Sequence, residues 1–318
     1  MEDLIELGKT GIRISPLGLG TWQWGDFMIW GYGKAYNDSD LHGAFHASLS
    51  AGINFLDTAE IYGRGRSERL LGEYLHAADL PPAPSPLIVA SKFMPLPWRL
   101  TRRSLLGALR ESLRRLRLER VDLYQMHWPF APVPIEAWAE ALADAVQEGL
   151  TRAVGVSNYS PAQMLRAHEA LSRRGVPLAS NQVEYHLLNR RAERNGLLKM
   201  CHEMGVTLIA YSPIAKGLLS GKYTPQNPPP GLRRRMTSGK RLARMQSLIG
   251  LMREVGQVHG GKSPAQVALN WVMCKIAVPI PGAKNERQAR DNAGALGWRL
   301  AEAEVAALDQ ESQLVSSE

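Results

Sequence analysis

The sequence predicts an α/β fold, an eight-stranded parallel (β/α)8 TIM barrel with an N-terminal β-hairpin and extra helices. Three observations lead there. Short apolar runs rich in Val, Ile and Leu are each followed by a helical pattern, and the alternation occurs eight times. The runs are apolar nearly throughout, as strands of a parallel sheet covered on both faces must be. Eight units in 318 residues sit just above the roughly 250 residues of such a barrel and favour closure over an open doubly wound sheet.

The elements follow in order. "LIELGKTGIRIS" (4–15) reads as the hairpin, turning at "KTG". "SPLGLGT" (15–21) precedes a helix near 38–51. "INFLD" (53–57) precedes one near 66–77, with Ser67 placed as its N-cap. "PLIVASK" (86–92) precedes "TRRSLLGALRESLRRL" (101–116), and "VDLYQMH" (121–127) precedes "PIEAWAEALADAVQE" (134–148). "TRAVGVSN" (151–158) leads to "SPAQMLRAHEALSRR" (160–174), and "PLASNQVEY" (177–185) to "RRAERNGLLKMCHEMG" (190–205). "VTLIAYSP" (206–213) leads through a long 214–240 loop to a helix near 241–259. "AVPIPGAK" (277–284) leads to one near 285–293, and a last helix is expected near 301–312. One domain is expected to span 1–318.

Composition narrows the function classes. The 38 Lys and Arg against 30 Asp and Glu leave a net charge of +8, which favours anionic ligands in general. The basic residues are scattered, and neither zinc-finger spacing nor an RRM-type aromatic motif accompanies them, so no nucleic-acid partner is expected. The densest basic run, "GLRRRMTSGKR" (231–241), reads as a solvated loop or a phosphate contact. Cys201 and Cys274 form no framework and no CxxC, which points to inert thiols in a reducing compartment. The opening residues lack a signal-peptide or transit-peptide pattern, and no apolar run reaches the roughly 18 residues of a membrane helix. A cytoplasmic protein, monomeric or weakly oligomeric and without a membrane, is the expectation. "GLGTWQWG" (18–25), "GRGRSERLLG" (63–72) and "GLLSGKY" (217–223) each miss the spacing of a dinucleotide or Walker loop. HExxH and GxSxG are lacking, and no metal site is read.

Barrel chemistry gathers at the carboxyl ends of the strands. The last polar residues of the runs are Asp57, Lys92, His127, Ser157 with Asn158, Gln182, and Tyr211 with Ser212, and Tyr62 lies in the loop past Asp57. Singly, each has an ordinary explanation: a helix cap, a solvated lysine, a structural histidine, loop packing. Together the alternation directs them to one rim. Tyrosine is a weak acid, with a reference pKa of about 10; a neighbouring ammonium favours its phenolate and eases proton donation. Asp57 can hold that ammonium, and His127 can orient a carbonyl oxygen. Proton donation to a carbonyl is half of a reduction; the hydride must come from a nicotinamide cofactor.

These residues lie in stretches that resemble the aldo-keto reductases over essentially the whole chain. "GINFLDTAEIYGRGRSERLLG" (52–72) is similar to that family's first signature. "SKF" (91–93) resembles the catalytic-lysine strand and "DLYQMHWP" (122–129) the catalytic-histidine strand. "VGVSNYS" (154–160), "NQVEYHLL" (181–188), "YSPIAKGLLSGKY" (211–223) and "VPIPGAKNERQARDN" (278–292) are similar to cofactor-binding segments. The resemblance implies a catalytic tetrad of Asp57, Tyr62, Lys92 and His127 and a bound NADPH/NADP+. Ser157, Asn158 and Gln182 would hold the nicotinamide carboxamide, and Tyr211 would stack on its ring. Ser212, Pro213, Ile214, Gly217, Leu218, Ser220 and Lys222 would line the pyrophosphate. Lys284 and Gln288 would meet the 2′-phosphate, with Asp291 and Asn292 at the adenine. Gly20, Thr21, Trp22, Pro281 and Gly282 complete the expected cofactor set. The family more often has Glu at the position of Asp291 and Leu at that of Ile214.

Within the family, "GTWQWGDFMIWGYGKAYNDSDLHGAF" (20–45), "KFMPLPWRLT" (92–101) and "GVPLASNQVEYHLL" (175–188) are similar to pyridoxal reductases of plants and cyanobacteria. That resemblance implies reduction of pyridoxal to pyridoxine. Trp24, Trp30, Trp98 and Trp128 are expected to form an aromatic wall for a flat ring; core or loop packing is the other reading of each. The alternatives are a broad aldehyde reductase and a cofactor-sensing subunit of the channel β type. The Arg233–Arg235 cluster is unassigned.

Overall fold

The computed structural model describes residues 4–81, 86–130, 132–230, 234 and 237–316. Arg233 and Arg235 lie outside these residues, and Arg234 is exposed. Strands β1 (Ile5–Glu6) and β2 (Arg13–Ile14) pair antiparallel. Gly8 and Gly11 adopt the positive φ that their turn needs. Leu7, Ile12 and Ile14 join one buried cluster with Phe55, Leu123 and Ile209, so the hairpin plugs the end of the barrel where the strands begin.

The barrel strands are β3 (Leu19–Gly20), β4 (Phe55–Asp57), β5 (Ile88–Phe93), β6 (Val121–Met126), β7 (Thr151–Ser157), β8 (Leu178–Glu184), β9 (Thr207–Tyr211) and β10 (Val278–Ile280). They run parallel and pair in chain order. The last returns to the first: Gly18 N donates to Pro279 O at 2.9 Å, Gly20 N to Pro281 O at 3.0 Å, and Gly20 bridges Gly282. A Cβ on Gly20 would stand 2.7 Å from Ile280 O, so this seam requires glycine. The result is the expected (β/α)8 TIM barrel, in which β3, β4 and β10 are only two or three residues long.

Around it lie α1 (Asp38–Ser50), α2 (Arg66–Leu75), α3 (Arg102–Leu116), α4 (Ile135–Gln147), α5 (Pro161–Ser172), the single turn α6 (Arg191–Arg194), α7 (Leu197–Met204), α8 (Gly239–Val258), α9 (Pro264–Cys274), α10 (Glu286–Ala293) and α11 (Glu302–Ser316). Local chemistry starts many of them: Asn37, Thr101, Ser160 and Ser263 each close a capping box. The larger core lies between this ring and the sheet.

Three expectations need correction. Ser67 is not an N-cap. That position is Gly65 at φ 82°, while Ser67 lies inside α2 and its hydroxyl bonds Thr21 and Thr58. The helix read over 190–205 is two, separated at Asn195 and Gly196, the latter at φ 77°. The strand–helix alternation also does not predict α9. It packs on β10, whereas α8 packs outside it against α9 and α11. The crossover helix before β10 is therefore 264–274, and 239–258 is an outer addition.

Candidate active site

The register brings the strand ends to one rim. Asp57 ends β4, buried, and its Oδ1 accepts from Lys92 Nζ at 2.5 Å. Lys92, buried on β5, also donates to Thr58 O at 2.9 Å and to the Tyr62 hydroxyl at 3.4 Å. The other oxygen of Asp57, Oδ2, accepts from Gln182 Nε2 at 2.8 Å and Gln125 Nε2 at 3.2 Å. One carboxylate thus fixes the lysine and two amides. Tyr62 reaches the cluster because Gly63 and Arg64 both take positive φ, turning the chain tightly before α2. His127 follows β6 and meets the Tyr62 ring edge to face, centroids 5.8 Å apart.

Burial decides the titration of this cluster. It pushes the Tyr62 phenol up, and although the Lys92 ammonium pulls it down, burial prevails. The expectation that Lys92 would leave the phenol easier to ionise is thereby corrected: the net direction is upward. Burial works against the Lys92 ammonium too, but Asp57 and Tyr62 outweigh it and hold its pKa above the ordinary lysine value. His127 is pulled down to about 3, by burial first and by Lys92 second. At neutral pH the site holds a neutral phenol, an ammonium and a neutral imidazole.

A cleft of about 790 Å³ opens over this cluster. Near the tetrad it is lined by Ser157, Asn158, Gln182 and Tyr211. Asn158, at φ 64°, donates to His127 O at 3.1 Å and accepts from the Tyr211 hydroxyl at 3.0 Å. Further along, Ser212, Pro213, Ile214, Gly217, Ser220 and Lys222 line one side. Gly20, Thr21, Trp22, Pro281 and Gly282 line the seam, and Lys284, Gln288, Asp291 and Asn292 the far end. Asp291 accepts from Ser263 Oγ at 2.9 Å, and Gln288 Oε1 accepts from Lys284 N at 3.1 Å. Leu218 packs against the core instead and is not part of the lining.

The four tryptophans do not form one wall. Trp24 is fully buried, packs against Tyr74 and donates its Nε1 to Ala283 O at 3.1 Å. Trp98 is 76% exposed and does not line the cleft. Trp30 does line it, but beside Lys284, whose ammonium lies 4.9 Å from its ring and donates to its carbonyl oxygen at 3.1 Å. Trp128 lines the cleft next to His127, with Phe130 stacked on it at 5.6 Å.

Some residues escaped sequence reasoning. Gln125 and Glu184 sit two positions from His127 and Gln182, on the same strand face, so the period of two was the available signal. Arg287 and Lys216 also line the cleft; a single basic residue near a helix start carries no distinguishing pattern.

The aldo/keto reductase family profile matches residues 16–312. The chain belongs to the aldo/keto reductase family. It is an oxidoreductase by that membership. It is 41% identical over 297 residues to a protein of Arabidopsis thaliana named pyridoxal reductase, chloroplastic, covering 91% of this chain and 80% of that one. It is 32% identical over 325 residues to the L-glyceraldehyde 3-phosphate reductase of Escherichia coli K12, covering 95% and 90%. A crystal structure of an aldo-keto reductase from Klebsiella pneumoniae in complex with NADPH superposes with a TM-score of 0.73 at 26% identity, covering 98% of this chain and 95% of that one. No helix among the described residues is long and apolar enough to cross a membrane.

Proposed function

We propose that this protein is an NADPH-dependent carbonyl reductase in which Tyr62 donates the proton, and that pyridoxal, reduced to pyridoxine, is its substrate. The observation that carries the reading is Lys92 bridging Asp57 and Tyr62 at the floor of the cleft. The donor set fits the cofactor. Lys216, Lys222, Lys284 and Arg287 line the cleft; of its carboxylates, Asp57 faces Lys92, Glu184 faces Lys216 and Asp291 accepts from Ser263, which leaves cations for the pyrophosphate and the 2′-phosphate. Ser157, Asn158 and Gln182 offer amides and a hydroxyl to the carboxamide, and Tyr211 a ring face. When bound, NADPH supplies the hydride.

The chain's own residues supply the rest. His127, neutral down to about pH 3, can hydrogen-bond the carbonyl oxygen without competing as an acid. Tyr62 stays protonated at neutral pH and gives its proton to that oxygen as it gains electrons; the ammonium of Lys92 faces the phenolate left behind. Trp128, backed by Phe130, offers one flat face to an aromatic aldehyde. A second reading, a broad aldehyde reductase, is favoured by the displacement of Trp24 and Trp98 from the cleft.

One kinetic comparison separates these readings. Tyr62→Phe should lower kcat at least the roughly 10²-fold expected for a lost general acid, with NADPH affinity unchanged. Half the wild-type rate in that variant would remove Tyr62 from the role. Trp128→Ala should lower kcat/KM for pyridoxal roughly 2- to 13-fold, from about 0.5–1.5 kcal/mol per aromatic contact, and leave butanal unchanged. If wild-type protein reduces butanal as efficiently as pyridoxal, the broad-reductase reading stands instead.

A further inference from the structure

On the outer face, away from the cleft, His42 and His46 stand one turn apart on α1, and Asp79 approaches from the segment after α2. Their ligand-capable atoms all lie within 4.8 Å of one another. Each histidine Nε2 faces a different oxygen of the same carboxylate, and both separations are 3.6 Å. That is too long for a hydrogen bond. It is close to the roughly 3.4 Å that separates two ligands held at about 2.1 Å from one tetrahedral ion. His46 Nε2 is buried and has no hydrogen-bond partner among the described residues.

The rings are held in this arrangement by their neighbours. They lie 4.2 Å apart; Tyr74 packs edge-on to His42 at 5.0 Å, and Phe45 to His46 at 6.0 Å. The Tyr74 hydroxyl is tied to Asp38 O at 2.8 Å, at the start of the same helix.

We infer that His42, His46 and Asp79 form a binding site for one borderline divalent transition-metal ion, with Zn(II) the best match. Two imidazoles and one carboxylate are a mixed nitrogen and oxygen donor set. Calcium and magnesium take oxygen ligands, whereas imidazole suits zinc and its neighbours. Three protein ligands leave a fourth position for water. None of the three residues lines the cleft, so the ion would staple α1 to the segment following α2 and take no part in carbonyl chemistry. The sequence pattern alone predicts no metal here.

The test uses the full chain, stripped with a chelator and dialysed. Zn(II) is titrated calorimetrically into wild type, His42→Gln, Asp79→Asn and, as a control on the exposed face of α7, His202→Gln. Asp79 is 63% exposed, so Asp79→Asn should fold as wild type does, and circular dichroism checks all three variants. The expected result is one Zn(II) per wild-type and His202→Gln chain, binding at least tenfold weaker in His42→Gln and in Asp79→Asn, and a thermal midpoint raised by Zn(II) but not by Mg(II) in wild type and His202→Gln and in neither of the other two. The inference is overturned if wild type takes up no Zn(II), or if either His42→Gln or Asp79→Asn binds it as wild type does.

Discussion

His127 shows what burial does to a single side chain. Its pKa falls to about 3, while in the unfolded chain it titrates near 6.5. Between those values the unfolded state binds the extra proton, so stability is fully present above about pH 6.5 and is lost as pH falls toward about 3. The slope is at most about 1.4 kcal/mol per pH unit, hence about 2 kcal/mol between pH 6.5 and 5. Urea unfolding of wild type and His127→Asn at both pH values should show the wild type losing about that much more. Equal losses would mean that the imidazole is already charged in the folded protein. At this scale the meeting of Asp57, Tyr62, Lys92 and His127 on one rim was legible in the sequence, because each ends a strand or follows one. The direction of the Tyr62 shift was not, because the depth of burial depends on how hairpin, loop and strands close around it.

Among the elements, α2, α3 and β5 are joined by one buried carboxylate. Glu68 on α2 is fully buried; it accepts from Arg115 Nε of α3 at 2.6 Å and from Ser91 Oγ of β5 at 2.6 Å. Gly72 allows the same helices to touch, since a Cβ there would stand 2.6 Å from Arg115 O. Arg115→Leu leaves that charge unpaired and should cost about 3–5 kcal/mol, whereas Glu68→Met with Arg115→Leu should recover most of it. Chemical denaturation of the three proteins checks this; a loss below about 1 kcal/mol in Arg115→Leu would mean that water solvates Glu68. Elements with their own start signals, such as α3 behind Thr101 and α5 behind Ser160, were readable. So, in principle, was α9, with Ser263, Pro264 and Gln266 at its start; the preceding α8 obscured it by occupying the place where the alternation called for one helix. Trp24 misled for another reason. A tryptophan in a loop reads the same whether it faces a ligand or fills the gap beside Tyr74.

Across the whole molecule, the cleft connects two chemistries: the proposed proton donor at one end and cations at the other. Lys284 sits at the far end in two relations at once. Its ammonium lies 4.9 Å from the rings of Trp30 and Tyr36 and donates to Trp30 O, so it fastens the 22–36 loop to the segment after β10. The same ammonium lines the cleft, where the proposed 2′-phosphate would bind. Lys284→Ala should therefore act twice. Loss of a charged hydrogen bond worth about 1.5–3 kcal/mol weakens NADPH roughly 10- to 150-fold and leaves NADH nearly untouched. Loss of the fastening raises amide exchange in the 22–36 loop. Trp30→Ala separates the two effects, since it removes one ring contact and loosens the loop but leaves the cation in place: exchange should rise while the NADPH over NADH preference persists. Fluorescence titration of both cofactors against both variants decides the matter. If Lys284→Ala weakens NADPH and NADH equally, the lysine serves only the loop, and the selectivity must be sought at Arg287, which lines the same cleft.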